Sequence, residues 1–417
     1  MALEFLRFFV ESRLEDRMDE KKLEALREKR LARIIDSASR TKHYEPLVAS
    51  RKISLASLDS LPLLSKDELR RDSASFLARG TDRKRLIPVS TSGSSGTPMT
   101  VYLSGEDAQK MHASILSTVN SLGYGPFDVM AHIRSHQGGR TPKLTGGLFR
   151  KLILHTSARE SDNLEAMCRH GASVLSGYPS TMAIMAGRNL QNPRKLKAAF
   201  SGGEMLVQEA RKAISESFSC PVYDLYACWE LGLIASECRE GRMHVHSRMY
   251  EVEILDGKGR PKKSGVGEVI VTSLLNSSMP LLRYRIGDRA EWGKPCPCGR
   301  STPVLASLHG RLDDMLTLPS GKRIPAWSTN VSRLFSVLHS VWEYQAVQER
   351  EGLIVFRYVP RAGELSSNEK EEISQKIREG FMGEEVSVEF EAVPSIKRTS
   401  GKLRRFVSKL NSRKPVY

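Results

Sequence analysis

The chain has 417 residues, of which 40% are apolar and 27% are charged, and its net charge is +16. These proportions exclude the disordered and fibrous classes, and the length predicts two or three domains. No apolar run reaches the roughly 18 residues that a membrane-spanning helix needs, and the first residues carry charges unlike a signal peptide, so we expect neither a transmembrane nor a secreted protein.

The first predicted elements are a helix and two strands. Residues 14–37 are rich in Glu, Lys, Arg and Leu, with apolar residues three to five positions apart, which predicts a helix. Strand-like runs follow at 85–89 and 99–103, with prolines around them. Helices at 106–122, 163–170 and 180–189 are then expected to alternate with strands at 173–175 and 198–200. Such alternation favours an α/β fold with a largely parallel sheet.

The second half of the chain is richer in strands. Strands are expected at 250–255 and 268–272, and after residue 313 an α+β unit is expected, with strands at 353–358 and 386–390 around a helix at 368–381. We therefore expect an α/β protein with a large N-terminal domain at 1–311, whose strand-rich, barrel-like part spans about 249–310. A small, mobile α+β domain would follow at 312–417.

A loop rich in serine and glycine lies between the strands expected at 85–89 and 99–103. It contains, in order, Thr91, Ser92, Gly93, Ser94, Ser95, Gly96 and Thr97. Backbone N–H groups and hydroxyls of such a loop can wrap a polyphosphate, although it lacks the Gly-Lys-[Ser/Thr] of a Walker loop. A mobile surface loop is the alternative interpretation.

Further motifs follow this loop in a specific order. They are Tyr226-Ala227-Cys228-Trp229-Glu230, Arg283-Tyr284-Arg285-Ile286-Gly287-Asp288 and Thr399-Ser400-Gly401-Lys402. In this order the chain resembles the adenylate-forming superfamily of acyl-CoA synthetases. Leu61-Pro62-Leu63-Leu64-Ser65-Lys66, Gly177-Tyr178-Pro179-Ser180 and Cys296-Pro297-Cys298-Gly299-Arg300 make it similar to the phenylacetate–CoA ligase and CapK-like branch.

The resemblance implies a role for each matching residue. Residues 91–97 would hold the β- and γ-phosphates of ATP. The adenosine would be bound by Ser201, Gly202, Gly203 and Glu204 beside the adenine, by Tyr226 stacked on it, by Asp288 at the ribose and by Arg311 at the ribose or phosphate. Glu230 would hold Mg²⁺, Asp313 would be the hinge between the domains, and Lys402 would be the catalytic lysine that reaches the substrate carboxylate and the α-phosphate.

The function that the resemblance implies is an ATP-dependent ligase. An aryl or arylacetic acid would be adenylated with release of pyrophosphate, and the acyl group would pass to CoA, or alternatively to an amine or hydroxyl. A non-catalytic relative is a further alternative, because Trp229 stands where the superfamily usually has Thr or Ser. The oligomeric state, including a homodimer, stays open.

Six cysteines without a secretion signal indicate a reduced, cytoplasmic setting. Cys238, His244, Cys296 and Cys298 together supply the three thiols and one imidazole of a closed structural Zn²⁺ site, with His246 as a spare ligand. Thiols packed in the core without a metal are the alternative.

Half of the excess positive charge lies near Lys402. Eight of the last 25 residues are Lys or Arg and none is acidic. We interpret this charge as attraction toward a triphosphate and CoA. A nucleic-acid-binding protein is the alternative of a different class, but no zinc-finger, RNP or helix-turn-helix signature is present.

Overall fold

The computed structural model describes residues 2–49, 51–91, 99–134, 143–145, 147–156, 158–189, 195–311, 315–325, 340–360, 363–381, 383–396 and 406–410. The α-helices within these ranges are α1 (Ala2–Glu15), α2 (Glu20–Ala38), α3 (Glu45–Val48), α4 (Lys66–Arg71), α5 (Gly105–Ser121), α6 (Glu160–Arg169), α7 (Pro179–Asn189), α8 (Gln208–Phe218) and α9 (Ser367–Gly380).

The β-strands in the same ranges are numbered along the chain. They are β1 (Ile87–Thr91), β2 (Met99–Leu103), β3 (Val129–Arg134), β4 (Lys143–Thr145), β5 (Arg150–His155), β6 (Val174–Gly177), β7 (Ala198–Gly202), β8 (Val222–Cys228), β9 (Gly232–Glu237), β10 (Met243–Val245), β11 (Tyr250–Leu255), β12 (Gly267–Ser273), β13 (Tyr284–Trp292), β14 (Val304–Arg311), β15 (Met315–Thr317), β16 (Arg323–Pro325), β17 (Val341–Arg350), β18 (Leu353–Pro360), β19 (Ser387–Ala392) and β20 (Phe406–Ser408).

The chain divides into two compact units. The first comprises Met1–Phe127 and Tyr223–Leu308, and the second comprises Asp128–Val222 and His309–Tyr417. The expected boundary between residues 311 and 312 stays a prediction. No helix of the described ranges has both the length and the apolar character that crossing a bilayer requires.

The first unit is built on a row of seven strands. Their order is β11-β12-β13-β14-β10-β9-β8, and β1 pairs with β2 in a separate antiparallel ribbon. β11 shows why these residues form a half-buried strand, because Tyr250, Val252 and Ile254 face the core while Glu251 and Glu253 alternate with them. The strands expected at 250–255 and 268–272 correspond to β11 and β12.

The beginning of the chain differs from the prediction of one helix at 14–37. The structure has two helices, because α1 ends at Glu15 and α2 begins at Glu20. Asp19 is the N-cap of α2, and its side chain accepts a hydrogen bond from the backbone N–H of Lys22 at 2.9 Å. A capping aspartate stabilises the start of a new helix, which accounts for the break inside an otherwise helical composition.

The second unit begins with the predicted α/β alternation. β7, β6, β3 and β5 lie side by side as parallel strands, and β4 is antiparallel to β5. α6 and α7 connect consecutive strands of this set, and α8 follows β7. The apolar faces of the strands and helices share one core that includes Leu152, Met167 and Phe218. The expected α/β fold class is confirmed.

The last part of the chain has a core of its own. β17 and β18 pair antiparallel, β19 adds parallel to β18, and β20 adds parallel to β17. α9 supplies Ile373 and Ile377 to this core, and it begins with a capping box between Ser366 and Glu369. The α+β unit expected after residue 313 therefore has the predicted elements.

A buried arginine joins three parts of the first unit. Arg283 precedes β13 with a φ of 47° and is 4% exposed. Its guanidinium binds both carboxylate oxygens of Glu253 at 2.8 and 3.0 Å, and its Nη1 donates to the carbonyls of Asp59 and Leu61 at 2.9 and 2.6 Å. These bonds offset the cost of a left-handed backbone at a residue with a side chain.

We expect Arg283→Ala to lower the free energy of unfolding by about 3–5 kcal/mol, because it leaves the carboxylate of Glu253 buried without its partner. Arg285→Ala is the matched control, since Arg285 is half-exposed and pairs with Glu268 at 2.7 Å. We expect a loss of about 0–1 kcal/mol there. Urea denaturation of the two variants measures the difference, and equal losses would contradict this role of Arg283.

Candidate active site

A buried carboxylate lies in the turn between β8 and β9. Glu230 is 7% exposed, and its Oε1 accepts a hydrogen bond from the hydroxyl of Tyr284 at 3.0 Å. Nζ of Lys66 lies 3.8 Å from the same oxygen. A buried carboxylate requires hydrogen bonds and compensating charge, and these two side chains supply one of each.

Three segments bring these side chains together. Tyr284 opens β13, and Leu64 forms an isolated parallel bridge to it. Ser65 then caps α4 through a capping box with Glu68, which places Lys66 at the first position of that helix. The cluster of Glu230, Tyr284 and Lys66 therefore depends on pairing between the start of β13 and the segment before α4.

The same cluster lies next to one end of the serine and glycine loop. Sδ of Met99, the first residue of β2, is 3.9 Å from the hydroxyl of Tyr284. Met99 is paired with Thr91 across the β1–β2 ribbon. Residues 92–97 lie outside the described residues, but the two strand ends that flank them are adjacent, and one of these ends contacts Tyr284.

Burial controls the protonation of the groups around Glu230. Burial, with a contribution from the charge of Glu230, raises the pKa of the Tyr284 hydroxyl well above its ordinary value. The same two causes raise the pKa of the Cys228 thiol. Both groups are therefore neutral at neutral pH, and Tyr284 remains a hydrogen-bond donor to the carboxylate.

The two side chains expected at the nucleoside are in direct contact. The hydroxyl of Tyr226, on β8, donates to Oδ2 of Asp288, on β13, at 2.9 Å. Gly287 precedes Asp288 with a φ of +86°, a conformation that favours glycine. An aromatic ring and a carboxylate are the groups that stack on a base and accept hydrogen bonds from ribose hydroxyls.

The remaining residues expected at the adenine belong to the second unit. Gly202 ends β7, and Gly203 follows with a φ of +82°. Oε2 of Glu204 accepts a hydrogen bond from the backbone N–H of Ser180 at 3.3 Å. Ser180 belongs to the Gly177-Tyr178-Pro179-Ser180 motif, so the structure brings two of the sequence motifs together in this unit.

The four predicted zinc ligands converge in the first unit. Their ligand atoms all lie within 4.8 Å of one another, and Cys238 and His244 are buried. Sγ of Cys238 is 3.7 Å from Sγ of Cys296, and Sγ of Cys298 is 3.3 Å from Nε2 of His244. Thiolates bound to one Zn²⁺ at about 2.3 Å in tetrahedral geometry would be about 3.8 Å apart, so these residues fit the ion.

Neighbouring residues support this arrangement. Nδ1 of His244 is 2.9 Å from Oγ1 of Thr302, a contact that orients the ring so that Nε2 faces the thiols. The spare ligand His246 is not part of the group, because its Nε2 is 3.1 Å from Oγ of Ser236. The geometry thus agrees with His244 as the predicted ligand and leaves the spare His246 out of the group.

The chain is similar in sequence and in fold to several known proteins. It is 24% identical over 383 residues to Protein CapK of Staphylococcus aureus, covering 86% of this chain and 82% of that protein. It is 26% identical over 369 residues to a phenylacetate-coenzyme A ligase of Thermus thermophilus, covering 80% of each. A crystal structure of 2-hydroxyisobutyryl-CoA ligase matches with a TM-score of 0.78 at 20% identity, covering 95% of this chain and 91% of that one.

These similarities support an adenylate-forming superfamily with a phenylacetate–CoA ligase-like branch. No protein-family model matches the chain.

Several residues that the superfamily resemblance assigns cannot be placed. The side chains of Thr91 and Arg311 lie outside the described residues, as do residues 92–97, Asp313 and Lys402. Their roles stay predictions.

Two residues of the candidate site received no role from the sequence. Lys66 and Tyr284 stand inside motifs that resemble the superfamily, but only the structure shows that both contact Glu230. Lys66 stands at a recognisable start of a helix, since Ser65 precedes it and two acids and a leucine follow it. This signal locates the lysine on α4. No local signal indicates its partner, because Glu230 is 164 positions further along the chain.

Trp229, where the superfamily usually has Thr or Ser, lies on the surface. Its side chain is 63% exposed, and Glu230 keeps its contacts to Tyr284 and Lys66. The substitution therefore leaves the carboxylate in place, although it supplies no hydroxyl.

We expect Tyr284→Phe to lower the free energy of unfolding by about 1.5–3 kcal/mol, because it removes a hydrogen bond to a buried charged group. Tyr358→Phe is the matched control. Tyr358 is also buried, and its hydroxyl accepts only a long bond from the backbone N–H of Leu365 at 3.4 Å. There we expect about 0.5–1.5 kcal/mol. Chemical denaturation compares the two, and a larger loss for Tyr358→Phe would refute the charge-assisted bond.

Proposed function

We propose that this chain is an ATP-dependent acid–CoA ligase that forms AMP. A carboxylic acid, with aryl and arylacetic acids as the first candidates, would be adenylated and then transferred to CoA. The names of the relatives support this, because three of those that match are called phenylacetate-coenzyme A ligase. Crystal structures with the same fold are described as complexes of a CoA ligase with an acyl adenylate and with CoA.

The observation that carries the proposal is the arrangement around β8 and β13. Tyr226 and Asp288 are hydrogen-bonded to each other, and Glu230 follows Tyr226 by four residues in the turn after β8. This one unit thus presents an aromatic ring and a carboxylate for a nucleoside beside a second, buried carboxylate. The end of the serine and glycine loop at Met99 contacts Tyr284, so the phosphates of the same nucleotide would lie toward Glu230.

Glu230 would hold the Mg²⁺ that accompanies ATP. Both observed contacts of its carboxylate are to Oε1, and no hydrogen bond to Oε2 is present within the described ranges. A carboxylate oxygen is the ligand type that Mg²⁺ prefers. The ion would neutralise phosphate charge.

The proposed reaction has two steps that balance without a redox partner. In the first, a carboxylate oxygen of the acid bonds to the α-phosphorus of ATP, and the bond from that phosphorus to the bridging oxygen breaks to release pyrophosphate. In the second, the CoA thiol loses its proton to water, its sulfur bonds to the acyl carbon, and the bond from that carbon to the phosphate oxygen breaks to release AMP. The first step brings two anions together, so its barrier is chiefly one of position and charge.

Lys402 would provide the mobile cation for this first step. The proposed small domain at 312–417, hinged at Asp313, would bring the lysine to the substrates and then withdraw it. The separate core around β17, β18 and α9 supports such a body. The accumulation of basic residues around Lys402 would attract the anionic substrates.

Acid-dependent exchange of labelled pyrophosphate into ATP tests the proposal. A screen across aryl, arylacetic, fatty and amino acids should identify an acid that supports exchange, and adding CoA should then yield a thioester. Product formation with an amine or hydroxyl compound instead of CoA would favour the alternative acceptor. Absence of exchange with every acid would favour the non-catalytic alternative.

We expect Lys402→Ala to abolish acid-dependent exchange while leaving ATP binding nearly unchanged, because the lysine acts on the reacting groups rather than on the adenosine. Lys409→Ala is the matched control from the same basic segment. The ammonium of Lys409 pairs with Glu349, so its removal should leave exchange intact. Unchanged exchange in Lys402→Ala would remove this lysine from the mechanism.

We further propose that the Cys238, His244, Cys296 and Cys298 cluster holds a structural Zn²⁺. Metal analysis should find about one zinc per chain. Cys296→Ser should lower both the zinc content and the unfolding temperature, because a structural ion stabilises the folded state. Cys168→Ser, at an exposed free cysteine, should change neither. A zinc content well below one per chain would refute the site.

The protein would act in the cytoplasm, and its partners would be the small molecules of the reaction, namely the acid, ATP and CoA. The proposal includes no nucleic-acid partner, and salt-sensitive retention of DNA or RNA at physiological ionic strength would contradict that. The mass of the protein in solution would show whether it forms a homodimer.

A further inference from the structure

A polar cavity lies in the first unit and shares no residue with the cluster of Glu230, Tyr284 and Lys66. Its volume is about 490 Å³, within the range of small-molecule sites. The cavity is lined by side chains from α1, from the turn after α1, from the end of α5 and from two loops between strands. The residues that matter here are Arg13, Asp16, Arg17, Ser121, Arg239 and Arg300.

The lining carries an excess of positive charge. The guanidinium groups of Arg13, Arg17 and Arg300 make no hydrogen bond or ion pair within the described part of the chain. Arg239 donates to the carbonyl of Ser121 at 3.2 Å, which does not neutralise its charge. Four guanidinium groups around one cavity give it a positive potential that favours a bound anion, although solvent weakens the effect at the exposed Arg17 and Arg239.

The acid in this lining is already engaged. Oδ1 of Asp16 accepts a hydrogen bond from Nη1 of Arg248 at 3.0 Å, and Arg248 is 2% exposed. Asp16 therefore balances a buried arginine outside the cavity. Among the described residues, the excess positive charge of the cavity therefore has no counterpart.

The proposed zinc site does not supply the missing charge either. Cys298 also lines the cavity, and a Zn²⁺ bound by three thiolates and a neutral imidazole would carry a net charge of about −1. One negative charge leaves most of the charge of the four arginines unbalanced.

We infer that this cavity binds the multiply charged phosphate group of a small molecule or lipid. Guanidinium groups present paired N–H donors that match phosphate oxygens, and several converging on one space favour a polyvalent anion over a carboxylate. The lining that carries the argument is charged rather than aromatic, so recognition would be directed at the phosphate charge.

The test is calorimetric titration of the full-length protein with inorganic pyrophosphate, without magnesium and at about 0.1 M salt. Saturable binding is expected, and Arg13→Ala/Arg17→Ala should weaken it about tenfold or more, because one charge-assisted hydrogen bond contributes on the order of a factor of ten. Arg13→Lys/Arg17→Lys should recover part of the loss. Unfolding temperatures show whether each variant is folded.

Two controls separate this cavity from total charge and from the candidate active site. Arg51→Ala/Arg85→Ala removes two exposed arginines and the same net charge, and it should bind pyrophosphate like the native protein. Ser92→Ala/Ser94→Ala alters the loop that the candidate active site would use for the β- and γ-phosphates, and it should also keep this binding. Failure of the ligase proposal would therefore leave the cavity result unaffected.

Vesicles distinguish the two sources of phosphate. The ligand would be a lipid phosphate if the native protein sediments with phosphatidylcholine vesicles that contain phosphatidic acid and the Arg13→Ala/Arg17→Ala variant does not. Pyrophosphate binding without sedimentation would identify a soluble ligand. Equal pyrophosphate affinity in the native protein and this double variant, or saturable binding to neither probe, would overturn the inference.

Discussion

The geometry of the candidate active site depends on the buried guanidinium of Arg283. It is bonded to Glu253 on β11 and to two carbonyls of the segment that leads into α4. The backbone carbonyl of Arg283 also accepts the N–H of Leu64 at 3.0 Å. One side chain and its own backbone thus hold the N-terminal segment against the start of β13. Tyr284 and Lys66 come from the two segments that are joined in this way.

The first unit has two charged sites that differ in how their charge is balanced. One is the buried carboxylate of Glu230, and the other is the cavity lined by arginines. At Glu230, the protein provides its own hydrogen-bond donor and its own cation, so the carboxylate is stable before any ligand binds. In the arginine-lined cavity, the lining acid Asp16 is already paired with Arg248, so the arginines keep an excess of positive charge among the described residues. The first arrangement positions a group in advance, whereas the second leaves charge available to a ligand.

Local elements could be predicted where a single physical pattern controls them. The strand at 250–255 agrees with β11 because side-chain alternation decides it, and the helix expected at 368–381 differs from α9 by only one residue at each end because a capping box and amphipathic spacing act together. The break between α1 and α2 was missed because composition favours helix on both sides of Asp19, and one capping bond decides the outcome.

In the candidate site, likewise, some features could be predicted from the sequence and others could not. The residue types at Tyr226, Glu230 and Asp288 were recognisable in sequence because each stands in an ordered motif. Their contacts were not predictable, since the bond from Tyr226 to Asp288 spans 62 positions and depends on how β8 and β13 are placed. The structure likewise supports the predicted ligand His244 over the spare His246, because Nε2 of His244 lies 3.3 Å from Sγ of Cys298 whereas Nε2 of His246 contacts Ser236.

The cysteine and histidine cluster and the candidate active site lie at opposite ends of the same strands. β9 begins just after Glu230 and ends just before Cys238, and β13 begins with Tyr284 and ends before Cys296. Glu230 and Tyr284 are hydrogen-bonded at one end, and the two thiols are 3.7 Å apart at the other.

β10 and β14 lie between these two strands, and β10 contributes His244 to the cluster. β9 has six residues, so about 20 Å of strand separates the contact at Glu230 from the cysteine and histidine cluster. Contacts therefore join β9 and β13 near both of their ends, although the two strands are not neighbours in the sheet. These contacts limit how far one strand can slide along its axis relative to the other. A metal in the cluster would thus help to hold Glu230 and Tyr284 in register without contacting either of them.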